Sequence, residues 1–266
     1  MVKNIIIGQK SFVTKSILKY LKNPIVFSAN ELTKKKIQEQ THNYKKINLV
    51  FNNFYPSKLL NDLNHNNYND LCNLSLSKIS LLFETIPSSK INKIIYTSSA
   101  AIYRLIGNIS NQKSDHYNRE LYSSFKLAAE KLILNYSCSK NIDYFIMRLF
   151  NTYGDSQDKF SFIEKIIRAK KEKTRLTLIN EGLSLRDFIH LDDIGKIYTI
   201  FLNKKLNKGI YDIGSGKGFL IKDLVNLAKI PKNKLIKKNK IEEIKDSIAD
   251  SEKLLLQIGD FNFKDL

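Results

Sequence analysis

Three side chains near the middle of the chain have the chemistry needed for proton transfer. Tyr122 and Lys126 lie four residues apart in a segment with helical periodicity, so both side chains leave the same face of one helix. A tyrosine phenol, whose pKa is about 10, exchanges a proton at neutral pH only if its anion is stabilised, and a nearby lysine ammonium group does this. Ser99 follows an apolar run and could hydrogen-bond the same substrate oxygen. The three residues therefore indicate a proton-transfer site for an alcohol or a ketone.

Alternating strand and helix patterns surround these residues. The chain opens with a β-branched run that ends at Gly8, then a helical pattern and a second apolar run, which together predict a βαβ unit. The predicted strands are 2–7, 25–27, 47–51, 91–97 and 142–147, and the main predicted helices are 11–21, 71–86 and 119–138. A polar loop is expected at 107–118 and a further helix from near Phe219. This order predicts an α/β fold.

Four segments resemble one family of enzymes. They read Tyr96-Thr-Ser-Ser-Ala-Ala-Ile-Tyr103, Tyr122-Ser-Ser-Phe-Lys-Leu-Ala-Ala-Glu130, Met147-Arg-Leu-Phe-Asn-Thr-Tyr-Gly154 and Arg186-Asp-Phe-Ile-His-Leu-Asp-Asp-Ile194. In this order they resemble the extended short-chain dehydrogenases/reductases, the NAD(P)-dependent nucleotide-sugar epimerase/dehydratase family. The resemblance implies a Rossmann-type doubly wound parallel sheet in residues 1–153, with an NAD(P) site and catalytic Ser99, Tyr122 and Lys126. It also implies a smaller C-terminal lobe, 154–266, that binds the substrate and is interleaved with the sheet.

The first turn departs from the family pattern. Where the family has Gly-x-x-Gly-x-x-Gly, this chain has Gly8, Ser11 and Thr14. A side chain at the second position crowds the cofactor diphosphate, and one at the third crowds the helix against the sheet. Ser11 is small, and its hydroxyl could cap the helix or contact a phosphate. The cofactor-binding residues that the resemblance implies are Gly8, Ser11, Phe12, Ser28, Asn30, Asn53, Tyr122 and Lys126.

The end of the second strand bears on the choice between NAD and NADP. An acidic residue there would bind both ribose hydroxyls and favour NAD, but Phe27 is followed by Ser28, Ala29 and Asn30. Ser28 or Asn30 could donate to a 2′-phosphate, so NADP is slightly preferred over NAD. The lysine triplet at 34–36 has a simpler interpretation as a solvated helix face.

The remaining motifs concern the substrate and the reaction. The resemblance implies that Asn151, together with Ser99, contacts a nucleotide-diphosphate sugar, and a guanidinium pairs well with a diphosphate, which makes Arg186 the expected anchor. Asp192 or Asp193 is expected to cap the next helix. Ala100 and Ala101 stand where 4,6-dehydratases of the family carry Asp-Glu, and two methyl groups cannot transfer protons.

What remains is hydride transfer at a ring carbon. The expected activity is a 4-ketoreductase that makes a deoxysugar for surface polysaccharide. A 4-epimerase with tightly bound NAD is the alternative, and a non-catalytic NADP-binding protein is the alternative outside this class. The resemblance also raises the possibility of a homodimer formed through helices 71–86 and 119–138.

Composition excludes several other classes of protein. The chain has 266 residues and a formal net charge of +18, but only six of its 44 basic residues are arginine and the lysines are scattered, which disfavours a nucleic-acid-binding protein. The first apolar run is too short for a signal peptide, and no segment approaches the roughly 20 apolar residues of a membrane span. Two cysteines and four dispersed histidines suggest neither a disulfide framework nor a metal site. A cytoplasmic enzyme is therefore expected.

Overall fold

The computed structural model describes residues 2–53, 67–103, 117–155, 161–172, 174–239 and 244–266. The chain divides into two compact units. The first contains residues 1–148 and 195–211, and the second contains residues 149–194 and 212–266. Ser99, Tyr122 and Lys126 all belong to the first unit, whereas Asn151 and Arg186 belong to the second.

The first unit is built on a six-stranded sheet. Its strands are β1 (Val2–Ile7), β2 (Ile25–Phe27), β3 (Lys46–Phe51), β4 (Ile91–Ser99), β5 (Asp143–Leu149) and β9 (Gly209–Ile213), in the spatial order β2-β1-β3-β4-β5-β9. The pairs β1–β2, β1–β3 and β3–β4 are parallel. The predicted α/β fold with a doubly wound parallel sheet is confirmed, and all five predicted strands are present within one or two residues of their predicted bounds.

The strand order places a crevice between β1 and β3. The usual dinucleotide-binding order is 3-2-1-4-5-6, whereas this sheet has the 2-1-3-4-5 order of flavodoxin-like folds, and in both the ligand site lies where the order reverses. Gly8 follows β1, and Asn52 and Asn53 follow β3. Gly8 has φ +110°, and a Cβ atom on it would lie 2.7 Å from the carbonyl carbon of Asn52. Only glycine permits this close approach of the two strand ends.

Helices cover both faces of the sheet. Those of the first unit are α1 (Phe12–Leu18), α2 (Lys34–Thr41), α3 (Tyr68–Cys72), α4 (Lys78–Thr85), α5 (Tyr117–Ser139) and most of α7 (Leu191–Asn203). Alternate residues of β3, namely Ile47, Leu49 and Phe51, pack in one core with α2, α4 and α5. On the other face α1 lies against α7, where a Cβ on Gly195 would lie 2.5 Å from the Ser16 hydroxyl. A sheet buried on both faces explains its continuous apolar strands.

Two predicted helices differ from those observed. The first ends at Leu18 instead of Leu21. The second, predicted as one helix at 71–86, begins at Tyr68 and contains a π-helical turn, Asn73–Ser77, between α3 and α4. Hydrophobic periodicity does not reveal one inserted residue of this kind. Most of the loop predicted at 107–118 lies outside the described residues, but positions 117 and 118 already belong to α5.

The second unit has its own sheets and core. Its further elements are β6 (Asn151–Tyr153), α6 (Phe162–Lys171), β7 (Leu176–Ile179), β8 (Leu185–His190), β10 (Gly218–Leu220), α8 (Ile221–Leu227), β11 (Leu235–Lys238), β12 (Asp246–Ser247) and α9 (Glu252–Ile258). Strand β8 pairs with β10, β12 and β6, and β7 pairs with β11. Phe188 of β8 packs with residues of α6, β7 and α8 in a separate apolar core.

One local prediction in this unit was wrong, and one predicted helix start is displaced by two residues. Asp192 and Asp193 do not precede α7 but lie in its first turn, because the helix already begins at Leu191. The ring of His190 takes the capping role instead, since its Nδ1 accepts the backbone N–H of Asp192 at 3.1 Å. The helix expected from near Phe219 begins at Ile221, because Phe219 pairs with β8 in strand β10.

Candidate active site

The end of strand β4 positions Ser99. The strand ends at this residue and a single 3₁₀ turn, Ala100–Ile102, follows it. Ser99 caps the turn, because its Oγ accepts the backbone N–H of Ala101 at 3.2 Å. The carbonyl of Ala101 in turn accepts a hydrogen bond from Ser123 of α5 at 3.1 Å. These bonds fix the Ser99 side chain at the carboxyl end of the strand and tie this end to helix α5.

Helix α5 presents polar side chains to the protein interior. Its buried face includes Ser123, Lys126, Glu130 and Ser137 along with Ala129 and Ile133. Polar groups at such positions are unfavourable unless they are hydrogen-bonded or paired. The face that the sequence predicts to carry Tyr122 and Lys126 is therefore a stripe of polar side chains packed against β4. Such a stripe holds groups that can donate or accept protons inside the protein.

Tyr122 is half-buried and hydrogen-bonds Ser99. Burial raises the pKa of the Tyr122 phenol, and the hydrogen bond from Ser99 opposes this rise by stabilising the phenolate. The structure thus brings together the serine and the tyrosine that lie 23 positions apart in the sequence. A substrate oxygen placed beside them would meet two hydroxyl groups.

Lys126 lies beneath this pair and is only 5% exposed. Its Nζ donates to the carbonyl oxygen of Thr97 at 2.7 Å and lies 5.0 Å from the ring centroid of Tyr96 and 6.0 Å from that of Tyr122. Burial lowers the pKa of Lys126 to about 7, and the carboxylate of Glu130 limits the fall. The charge of the Lys126 ammonium therefore changes within the neutral pH range.

A buried ion pair lies one helical turn further along α5. The Glu130 carboxylate accepts Nη2 of Arg148 at 2.8 Å, Nε of Arg148 at 3.2 Å, and the hydroxyl of Ser98. The Arg148 guanidinium also lies 4.8 Å from the ring centroid of Tyr103. This ion pair was not predicted from the sequence. The four-residue spacing from Lys126 to Glu130 was the available signal.

A chain of hydrogen bonds joins the Gly8 turn to strand β4. Tyr198 donates to the hydroxyl of Thr97 at 2.6 Å, and Thr97 donates to Oδ1 of Asn52. Asn52 Nδ2 donates to Thr14 at 2.9 Å, and Thr14 donates to the carbonyl of Gly8 at 2.8 Å. Thr14 is therefore accommodated at the third glycine position because its hydroxyl is bonded on both sides.

The hydroxyl of Ser11 does not cap α1 as expected. Ser11 occupies the N-cap position of this helix with extended backbone angles, but its side chain makes no capping hydrogen bond. Its backbone N–H bonds the carbonyl of Gly8 at 3.0 Å, which closes the turn. Phe12 begins the helix, and its ring lies 5.9 Å from Nζ of Lys15.

Asn53 carries an unsatisfied hydrogen-bond acceptor. Its side chain is 3% exposed, and Nδ2 donates to the carbonyl of Leu74 at 2.6 Å. Because Leu74 offers only an acceptor there, the amide nitrogen must face it, and Oδ1 must point the other way. Within the described residues, Oδ1 has no hydrogen-bond partner. Leu74 belongs to the π-helical turn, so this unpredicted feature sets the orientation of a predicted site residue.

The turn after β2 contains an acidic residue that the sequence reasoning passed over. Ser28 precedes a 3₁₀ turn, Ala29–Glu31, in which Asn30 is exposed. The Glu31 carboxylate lies 3.2 Å from Nζ of Lys36, the last residue of the lysine triplet. The groups near this turn are therefore the hydroxyl of Ser28, the amide of Asn30 and the ion pair of Glu31 with Lys36.

Asn151 and Arg186 lie on paired strands of the second unit. Nδ2 of Asn151 donates to the carbonyl of Asp187 at 2.8 Å, and Nη1 of Arg186 donates to the carbonyls of Leu185 at 2.8 Å and Lys245 at 3.2 Å. Asp187 is fully buried, and its carboxylate accepts four hydrogen bonds from residues 215, 216 and 249. Asp187 therefore holds the loops of this unit together, in a structural role.

Comparison with known proteins identifies the family. The sequence model of the NAD-dependent epimerase/dehydratase family matches residues 27–214, which is more than half of the chain. The chain belongs to the NAD-dependent epimerase/dehydratase family. The family match includes Ser99, Tyr122, Lys126, Asn151 and Arg186, and it begins after the Gly8 turn. The resemblance seen in the four sequence segments is thereby confirmed.

Individual relatives are distant. The chain is 26% identical over 216 residues to a putative UDP-glucose 4-epimerase of Methanocaldococcus jannaschii, covering 78% of this chain and 68% of that protein. It is 30% identical over 146 residues to a dTDP-D-glucose 4,6-dehydratase of Dictyostelium discoideum, covering 50% of this chain but only 34% of that protein. Several other relatives of the family are likewise matched over less than half of their length.

Solved structures of the family share the fold. A UDP-N-acetylglucosamine 4-epimerase from Methanobrevibacter ruminantium, in complex with UDP-N-acetylmuramic acid, matches with a TM-score of 0.75 at 19% identity, covering 98% of this chain and 93% of that one. RMD from Pseudomonas aeruginosa, complexed with NADPH, matches with a TM-score of 0.73 at 17% identity, covering 97% of this chain and 92% of that one. At such low identity these likenesses establish the Rossmann-like architecture.

Metal-binding clusters and membrane-spanning helices are absent from the described residues. Among the described residues, no group of histidine, cysteine and acidic side chains could hold a metal ion. In the same part of the chain, no helix is long and apolar enough to cross a membrane.

Proposed function

We propose that this family member is an NAD(P)-dependent oxidoreductase that acts on a nucleotide-diphosphate sugar, and that it is a 4-ketoreductase. The observation that carries the proposal is the assembly of Ser99, Tyr122 and Lys126 at the end of strand β4, followed by Ala100 and Ala101. Among the described residues, Tyr122 is the one evident proton carrier, and the two positions after Ser99 hold no acid or base, which suits hydride transfer better than elimination of water.

Each side chain would have a separate role in the reduction of a carbonyl group. The bound nicotinamide would supply a hydride to the carbonyl carbon. Tyr122 would donate its proton to the carbonyl oxygen, and Ser99 would hydrogen-bond the same oxygen. A charged Lys126 would stabilise the tyrosinate that this transfer leaves behind. The hydrogen bond between Ser99 and Tyr122 supports this division, because it shows that the two hydroxyl groups lie next to each other.

The strand ends near Gly8 fit a dinucleotide. Gly8 allows close backbone approach at the position where the strand order reverses, and Asn53 Oδ1 offers a buried acceptor to a ribose hydroxyl or a carboxamide N–H. Ser11 and Phe12, at the start of α1, would also contact the cofactor. We assign Ser28 and Asn30 to the adenosine ribose and keep a slight preference for NADP, although Glu31 in the same turn favours NAD.

The second unit would bind the sugar nucleotide. Arg186 is proposed to pair with the diphosphate, and Asn151 is proposed to contact it as well. Support comes from the family match, which includes both positions. Both side chains carry several N–H donors, five on the guanidinium and two on the amide.

The alternative within the family is a 4-epimerase with tightly held NAD. One observation favours it: several relatives, including the archaeal one matched over most of this chain, are named 4-epimerases. The absorbance of the purified protein discriminates the two activities. A reductase should be isolated without stoichiometric NAD and should oxidise NADPH or NADH when a 4-keto nucleotide sugar is added. Stoichiometric bound NAD, or no oxidation with any such sugar, would refute the reductase.

A non-catalytic cofactor-binding protein is the alternative from another class. The variant Tyr122→Phe keeps the ring and removes the proton donor, so an enzyme should lose most of its activity and still bind cofactor. Tyr20→Phe, at an exposed tyrosine, is the matched control and should retain activity. Cofactor binding by the unmodified protein with no turnover of any nucleotide sugar would favour the non-catalytic alternative.

A further inference from the structure

Glu130 is a buried glutamate on the same helix as Tyr122 and Lys126. It lies one helical turn after Lys126 on α5 and is 1% exposed. Its two carboxylate oxygens accept three hydrogen bonds, two from Arg148 of β5 and one from Ser98 of β4. The position of the carboxylate is therefore fixed by two neighbouring strands, and rotation of its side chain is prevented.

The groups around Lys126 are mostly neutral. Tyr96 faces it from β4 and Tyr122 from α5. Tyr198 of α7 hydrogen-bonds the hydroxyl of Thr97, whose carbonyl oxygen accepts Nζ of Lys126. Burial of these phenols raises their pKa values, so they stay protonated near neutral pH. The carboxylate of Glu130 raises the pKa of Lys126 and so opposes the effect of burial.

We propose that Glu130 is a positioning residue of the proton-transfer site, because its fixed carboxylate keeps the Lys126 ammonium charged beside Tyr122. The proposal rests on the function proposed above for Tyr122 and Lys126. A purely structural role for Glu130, in which it only joins α5 to β4 and β5 through Arg148 and Ser98, would contribute to stability but would not affect the charge of Lys126.

The sign of the effect follows from the charges. Burial favours neutral Lys126, and a nearby carboxylate favours the ammonium form. Without the carboxylate, Lys126 would lose its proton at lower pH, and Tyr122 would lose the positive charge that stabilises its anion. The alkaline limb of the pH–activity profile should therefore move to lower pH when Glu130 is neutralised.

The direct test is the titration of Lys126 in protein labelled with carbon-13 at the lysine Cε, followed by NMR. The Lys126 signal is assigned as the one missing from a Lys126→Arg sample. Its midpoint should lie near 7 in the unmodified protein, well below the value of about 10.4 for an ordinary lysine. In Glu130→Gln we expect the midpoint to fall by at least about one unit, which is a tenfold loss in proton affinity.

Three further variants make the result interpretable. Glu84→Gln removes an exposed glutamate of α4 and should leave the midpoint unchanged. Glu130→Gln alone could unfold the protein by leaving Arg148 unpaired, so the double variant Glu130→Gln/Arg148→Met removes both charges, an exchange that buried pairs often tolerate. The double variant should show a smaller fall in the same direction, because it also removes the positive charge of Arg148. Glu130→Asp should partly restore the midpoint.

The outcomes separate this proposal from the proposed function. An unchanged Lys126 midpoint in the folded Glu130→Gln and double variants would overturn the role of Glu130, whatever the activity. A lowered midpoint in a protein that turns over no nucleotide sugar would support the effect of Glu130 on Lys126 and refute the enzymatic function. With an active enzyme, the alkaline limb should move by the same amount as the NMR midpoint.

Discussion

The substitution Thr97→Val tests the hydrogen-bond chain that joins the Gly8 turn to strand β4. Valine has nearly the same shape as threonine but no hydroxyl, so both Oδ1 of Asn52 and the hydroxyl of Tyr198 would lose their partner. Each buried group left unpaired costs about 1–3 kcal/mol, which gives about 2–6 kcal/mol in total. For a chain of this size, the lower value alone corresponds to a fall in Tm of about 4 °C or more.

Urea unfolding of a small set of variants measures this cost. Thr97→Ser keeps the hydroxyl and loses one methyl group, so it should cost only about 0.8 kcal/mol. In the double variant Thr97→Val/Tyr198→Phe, one of the two unpaired groups no longer exists. Its loss of stability should therefore be smaller than the sum of the single losses by about 1 kcal/mol or more. If Thr97→Val is no worse than Thr97→Ser, or if the two substitutions are additive, the hydrogen-bond chain as described is wrong.

Three other substitutions test separate features of the first unit. Tyr96→Phe removes a buried hydroxyl that has no hydrogen-bond partner among the described residues, so thermal unfolding should occur at an unchanged or higher temperature; a marked fall would reveal a partner. Lys93→Met removes an ammonium group that donates to two carbonyls at the end of α7, at 2.8 and 2.9 Å, and should cost at least about 1 kcal/mol in urea unfolding. Asn53→Leu should weaken NAD(P) binding in calorimetry at least tenfold without loss of folding; unchanged affinity would remove Asn53 from the cofactor site.

The grouping of the proposed catalytic residues could be predicted because their spacing has direct geometric meaning. A separation of four residues places Tyr122 and Lys126 on one helix face in any α-helix. Ser99 could be added because it ends a strand, and carboxyl ends of parallel strands lie at the same edge of a sheet. The contacts of Lys126 could not be predicted in this way. They depend on the carbonyl of Thr97 and on the ring of Tyr96, which come from a strand distant in sequence.

The strand order and the π-helical turn were not accessible to sequence reasoning. Strand patterns identify the strands but not their neighbours, because order is decided by long-range packing. The π-helical turn has an ordinary amphipathic sequence, and its consequence becomes visible only when the carbonyl of Leu74 is found bonded to Asn53. The His190 cap was missed for a related reason: aspartate is the commoner capping residue, and only the position of the helix start excludes Asp192 and Asp193.

The absence of glycine at the third position of the first turn has a local structural explanation. Glycine at the third position normally lets the helix approach the sheet, yet Thr14 is fully buried there without an unsatisfied hydroxyl. Its hydroxyl donates to the carbonyl of Gly8 and accepts from Asn52, so the space that glycine leaves empty is used for a hydrogen bond. Because Asn52 is held in turn by Thr97, whose carbonyl accepts Nζ of Lys126, the same residues support both the Gly8 turn and the lysine. The sequence motif is reduced, but the one glycine that the backbone geometry demands, Gly8, is retained.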